Sequence, residues 1–172
     1  MESIDFKKIL FETAFCVMAC DGHIDQSEVE EMEKIDKNTS YFNDIDLSQE
    51  LSFLVNEIKT KGKSILTDFF EKIKSADFSV VQELLIMEIS LRLISADNKV
   101  EENEITFLNL LRSKLKVTNE ILYDRFGKVP YFKDLNRNKI DETTNNNLSD
   151  LIQDIKLPNI STLEAVEIKK EN

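Results

Sequence analysis

The sequence predicts an all-α protein, and three observations carry that expectation. Apolar residues recur at three- and four-residue intervals along most of the chain, as one face of a helix requires. Side chains that start helices stand just before several of these runs. Only 3 Gly and 2 Pro occur in 172 residues, too few for the many turns of a β-sandwich.

Taken in order, Ser3 to Asp21 forms the first helix, because Ile4, Phe6, Ile9, Leu10, Phe11, Ala14, Phe15, Val17 and Met18 widen into an almost wholly apolar surface. Asp25 caps a second helix reaching about Asp36, with Glu28 three residues on to complete a capping box and Val29, Met32 and Ile35 on its apolar side. Residues 37–46, rich in Asn, Thr and Ser, read as a loop. Asp46 opens a third helix bearing Leu51, Leu54, Val55 and Ile58, and Gly62 interrupts it. A fourth runs from Ser64 to about Lys74 on Ile65, Leu66, Phe69, Phe70 and Ile73. Ser79 and Gln82 cap the fifth, which ends near Ser95 and is apolar enough to be expected at the centre of the core. The sixth spans Glu102 to about Leu115, and Thr118 starts a short seventh with Ile121, Leu122 and Phe126.

Beyond Gly127 the character changes. Pro130, Asn136, Asn138 and the run Asn145-Asn146-Asn147 interrupt short apolar clusters. The expected organisation is a helical domain over residues 1–126 and an appendage over 127–172, with one or two short helices and a mobile end after Pro158.

Charge narrows the function classes. The 33 acidic residues against 22 basic ones give a net charge of −11, which opposes binding to nucleic acid or anionic lipid because phosphate contacts need a basic face. Cations, and partners with basic or apolar surfaces, fit better. The start Met1-Glu2-Ser3-Ile4-Asp5 lacks the positive region of a secretion signal, and no uncharged apolar stretch is long enough to span a bilayer, so a cytoplasmic location is expected. Cys16 and Cys20, four apart on one helix, are placed too far apart for an unstrained disulfide and read as core residues. His23 is the sole histidine, which leaves almost no material for a His-based zinc site or a Ser-His-Asp triad.

An internal repeat organises the acidic residues. Asp21-Gly22-His23-Ile24-Asp25-Gln26-Ser27-Glu28-Val29 aligns with Asp97-Asn98-Lys99-Val100-Glu101-Glu102-Asn103-Glu104-Ile105 at an offset of 97 − 21 = 76. Both read acid-x-x-aliphatic-acid-x-x-Glu-aliphatic. Glu12 then matches Glu88 upstream, and Met32 and Ile35 match Leu108 and Leu111 downstream. Two helix–acidic loop–helix units suggest pseudo-symmetric halves.

On these stretches the chain resembles the TerB-like family of bacterial tellurite-resistance and related proteins, whose signature is a small-residue helix end followed by Ala-Asp-Gly-x-Ile/Val-x-x-x-Glu. The resemblance covers roughly residues 6–126. It departs at Cys20, where the family favours Ala, and at Asn98, where it favours Gly; Asn tolerates the left-handed backbone that Gly would supply. The resemblance implies a helical domain with acidic clusters that bind metal ions and act beside membrane or stress-response partners. It does not imply an enzyme.

The loops are also similar to the second half of an EF-hand. Its first and third ligand positions would fall on Val17 and Ala19, and in the repeat on Leu93 and Ser95, so neither loop builds a calcium cage alone. An oxygen site from Asp21, Asp25 and Glu28 in one loop and Asp97, Glu101 and Glu104 in the other would favour Ca²⁺, Mg²⁺ or Mn²⁺, with Zn²⁺ less suited. The competing reading is architectural: Asp25 with Glu28 forms a capping box, acids at a helix start suit its dipole, and Asp21 and Asp97 close the preceding helix.

Glu12 and Glu88 interrupt apolar helices and need partners, since an unpaired buried carboxylate costs several kcal/mol. Arg92 is placed to meet Glu88 one turn on, and each glutamate is expected to fasten a loop or the opposite half through backbone hydrogen bonds. The function expected from all this is a non-catalytic acidic interaction module of a stress or defence response, with a divalent metal at its two loops and an unidentified protein partner. The alternatives are a metal-dependent hydrolase and a scaffold that binds through Tyr131-Phe132 and the Leu148–Ile155 cluster of the appendage.

Overall fold

A computed structural model describes residues 3–97, 99–132, 152–153 and 157–166. Among them the regular elements are all helices: α1 (Ser3–Ala19), α2 (Gln26–Asn38), α3 (Leu47–Lys61), α4 (Ser64–Ser75), α5 (Val80–Ile94), α6 (Glu102–Lys114), α7 (Asn119–Phe126) and α8 (Ile160–Glu164).

The caps set these boundaries. Asp46 accepts hydrogen bonds from the amides of Ser48 and Gln49 to start α3, and Ser79 accepts from Gln82 to start α5. Thr118 accepts from Ile121 to start α7. Gly62 ends α3 at φ 56° and Gly127 ends α7 at φ 70°, a region that L side chains avoid.

The centre of the core is α1, where α5 was expected. Every residue from Ile9 to Cys20 is buried, Glu12 and Thr13 included, and α1 meets α3, α4, α5 and α6. Helix α5 packs along α1 but begins at the surface, with Val80 and Val81 exposed. Phe69, Phe70 and Phe107 form an aromatic cluster between α4 and α6 with ring centroids 5.1–6.0 Å apart. The loop after α2 also enters the core: Phe42 is fully buried, edge-on to Phe11, and Ile45 is buried beside it.

The described parts of the appendage fold back. The Asn109 amide donates to the Tyr131 carbonyl (2.9 Å), and the Arg112 guanidinium lies 4.4 Å from the Phe132 ring centroid, so both aromatics pack on the chain's own core. After Pro158, where a mobile end was expected, α8 lies against α3 with Leu163 buried. Leu148 and Ile155 fall outside the described residues.

Candidate functional site

The repeat survives as geometry. Helix α2 shifted by 76 residues coincides end to end with α6. The Asp21 carboxylate accepts from the His23 amide at 2.8 Å, and the Asp97 carboxylate accepts from the Lys99 amide at 2.8 Å. The Glu28 carboxylate accepts from the Asp25 amide at 2.9 Å, and the Glu104 carboxylate from the Glu101 amide at 2.7 Å, each within a complete capping box. Ile24 and Val100, the aliphatic positions of the motif, anchor the loops on the core. Gly22 takes φ 92°, and its counterpart Asn98 lies outside the described residues. The acidic spacing is therefore first a device for closing one helix and opening the next.

The fold also brings the two loops together. The Glu28 and Glu104 side chains are buried at the starts of α2 and α6, close enough for their charges to repel. Burial is the main reason that the Glu28 carboxyl is pushed up from 4.5 to about 8; the hydrogen bond from Asp25 opposes the shift, and repulsion from Glu104, Asp21 and Asp25 adds to it. Glu104 is pushed up to about 7, again chiefly by burial, with repulsion from Asp21, Asp97 and Glu101. Beneath them the Cys20 thiol is raised by burial and by Glu104, Asp21 and Glu28, which keeps it protonated. Asp21, Glu28 and Glu104 thus repel one another across the two loops, with Asp25, Asp97 and Glu101 adding to the repulsion. His23 points to solvent. Among the described residues no group of three or more His, Cys, Asp or Glu side chains is arranged to hold a metal ion.

Glu12 and Glu88 have partners of a different kind from those expected. Glu12, on α1, forms an ion pair with Lys72 of α4. Glu88 accepts from the Tyr41 hydroxyl at 3.1 Å and from Arg125 at 2.7 Å, while Arg92 pairs with Glu31 of α2 at 2.7 Å. Side chains, rather than backbone amides, satisfy both glutamates.

The fastening of loops falls to residues that the sequence reading passed over. Buried Glu83 accepts from the backbone amides of Lys116 and Val117 and ties the α6–α7 turn to α5. Its repeat partner by the same offset is Lys7, whose ammonium donates to the Asn43 carbonyl at 2.6 Å and meets the Asp44 carboxylate at 2.9 Å. Each residue holds the loop that follows the second helix of its own half. One uses a carboxylate on N–H groups, the other an ammonium on a carbonyl. The signal in the sequence was the charge at Glu83 between Gln82 and Leu84 in the first turn of α5, which reads as a surface acid until its amide partners are known.

The class that fold and loops define is an all-α protein with a duplicated acidic helix–loop–helix unit. Compared with known proteins, the chain matches no family model, no curated protein and no solved structure. Among the described residues no helix is long and apolar enough to cross a membrane.

Proposed function

We propose that the protein is a non-catalytic acidic interaction module of a bacterial stress or defence response, and that its paired loops take a divalent cation. The reading is carried by Glu28 and Glu104, each buried at a helix start with one carboxylate oxygen on a backbone amide and each repelled by acids of the other loop. Like charges held together at the cost of desolvation are a reservoir that a cation or a basic partner group relieves. Each of Asp21, Glu28, Asp97 and Glu104 commits one carboxylate oxygen to a backbone amide, so the second oxygens are the ones that would face a cation. All-oxygen donors suit Ca²⁺, Mg²⁺ or Mn²⁺ above Zn²⁺. The likeness of both loops to the TerB-like signature supports the same assignment and the stress-response setting. Hydrolytic chemistry gains no support, because the lone histidine is exposed and distant in character from a general base beside a nucleophile.

Calorimetric titration of metal-stripped protein with Ca²⁺, Mn²⁺ and Zn²⁺ tests the proposal. A carboxyl raised to about 8 must lose its proton to bind a cation, so binding at pH 7 releases protons, visible as heats that depend on the buffer. Asp21→Ala with Glu28→Ala abolishes the signal. No heat together with no shift in melting temperature refutes the cation site.

A further inference from the structure

The outer side of α3 is covered by the chain's own C-terminal segment. Residues 157–166 place an apolar side chain at every third position: Leu157, Ile160, Leu163 and Val166 all pack on the core, with Leu163 only 1% exposed. The following residue, Glu164, forms an ion pair with Lys59 near the C-terminal end of α3. Lys63 adds a hydrogen bond to the Gln153 carbonyl at 2.6 Å.

This seat is weakly built. Helix α8 has 5 residues, well below the about 12 that hold a helix without tertiary support. Leu163 and, at the start of the segment, Pro158 are its buried anchors, and a cavity of about 310 Å³ remains between α3 and the segment, lined by Leu51, Val55, Lys59, Leu163 and Val166. The Lys59–Glu164 pair is half exposed and contributes little to holding it.

We infer that α3 is a docking face for a protein segment and that residues 157–166 are its resident self-ligand, displaced by a partner segment of like chemistry. The template defines that partner: apolar side chains three residues apart and an acidic residue beside the third. The acid answers Lys59, whereas Lys61 is held by Glu57 and Asp68 and Lys63 by the Gln153 carbonyl. A longer helix with larger anchors would also fill the cavity that α8 leaves open.

The test uses the full chain and a fluorescein-labelled peptide with the sequence of residues 157–166. L163D introduces a charge at the buried anchor and frees α3, so the labelled peptide binds this variant at least ten-fold more tightly than the wild type. E164K, which changes only a half-exposed partner of Lys59, gives a two- to five-fold gain. A peptide carrying Asp in place of its Leu163 binds neither protein. Circular dichroism reports whether L163D keeps its helices; should it unfold, E164K decides. Equal peptide binding by a folded L163D variant and the wild type, no gain in E164K, or undiminished binding of the Asp peptide overturns the inference. A stable wild-type dimer with the segment exchanged between copies overturns a separate partner as the occupant.

Discussion

Replacing Glu28 by Gln isolates the cost of burying one carboxylate among the acids of the two loops. Gln keeps an oxygen to accept the Asp25 amide, so the capping box survives while the charge disappears. In the unfolded chain Glu28 ionises near its ordinary 4.5, whereas in the folded chain it does so at about 8. Between these values the folded state binds more protons than the unfolded state. The contribution of Glu28 to stability is therefore fully present below pH 4.5 and is lost as the pH rises through 8. The whole shift corresponds to roughly 5 kcal/mol at about 1.36 kcal/mol per pKa unit, an upper bound. Part of it is repulsion from Glu104 and Asp21, which counterions and side-chain movement relax, so about 2 kcal/mol is expected at pH 8.5. For a protein of this size that raises the melting temperature of Glu28→Gln above wild type by about 4–8 °C at pH 8.5. At pH 4.5 the two proteins melt within about 1 °C of each other, since both carry a neutral side chain there. Thermal melts followed by circular dichroism across this range provide the assay. A Glu28→Gln protein less stable than wild type at pH 8.5, or a difference that does not grow with pH, refutes the reasoning.

Three further outcomes follow from the same structure. Glu83→Ala removes the acceptor of the part-buried Lys116 amide and the buried Val117 amide and destabilises the protein by about 2–4 kcal/mol in urea unfolding, whereas a surface acid would cost less than about 0.5. Glu12→Gln costs about 1 kcal/mol in the same assay, because Lys72 is half exposed and regains water; adding Lys72→Met recovers most of the loss. Saturating Ca²⁺ or Mn²⁺ at about one hundred times Kd raises wild-type stability by about 2.7 kcal/mol, and the Asp21→Ala, Glu28→Ala variant gains nothing.

Local order was legible in the sequence and long-range pairing was not. The helix boundaries followed from caps, and the repeat offset located the capping boxes at Asp25 and Glu101 because these depend only on residues within four positions. The centre of the core was misplaced. Helix α5 is apolar at most positions, yet its longest unbroken apolar run, Leu84 to Met87, is shorter than Ala14 to Ala19 of α1, and its first turn exposes Val80 and Val81 while Glu83 turns inward to the α6–α7 amides. Phe42 in a polar loop and Leu163 in the tail were overlooked because each stands in a short segment whose burial depends on a surface elsewhere in the chain. The partners of Glu12 and Glu88 lie on α4 and α7, too distant in sequence for any spacing rule to find. For the candidate site, spacing supplied the six carboxylates but neither the burial that chiefly raises the Glu28 and Glu104 carboxyls nor the repulsion between the two loops that adds to it.

That meeting is the centre of the account, and a ¹³C NMR titration of the Glu28 side-chain carboxyl in wild type and in Glu104→Gln tests it most directly. The account predicts a wild-type midpoint well above that of an ordinary glutamate, and a lower midpoint once the Glu104 charge is removed. A Glu28 midpoint near 4.5, or one unmoved by Glu104→Gln, would contradict a single coupled site built from both loops.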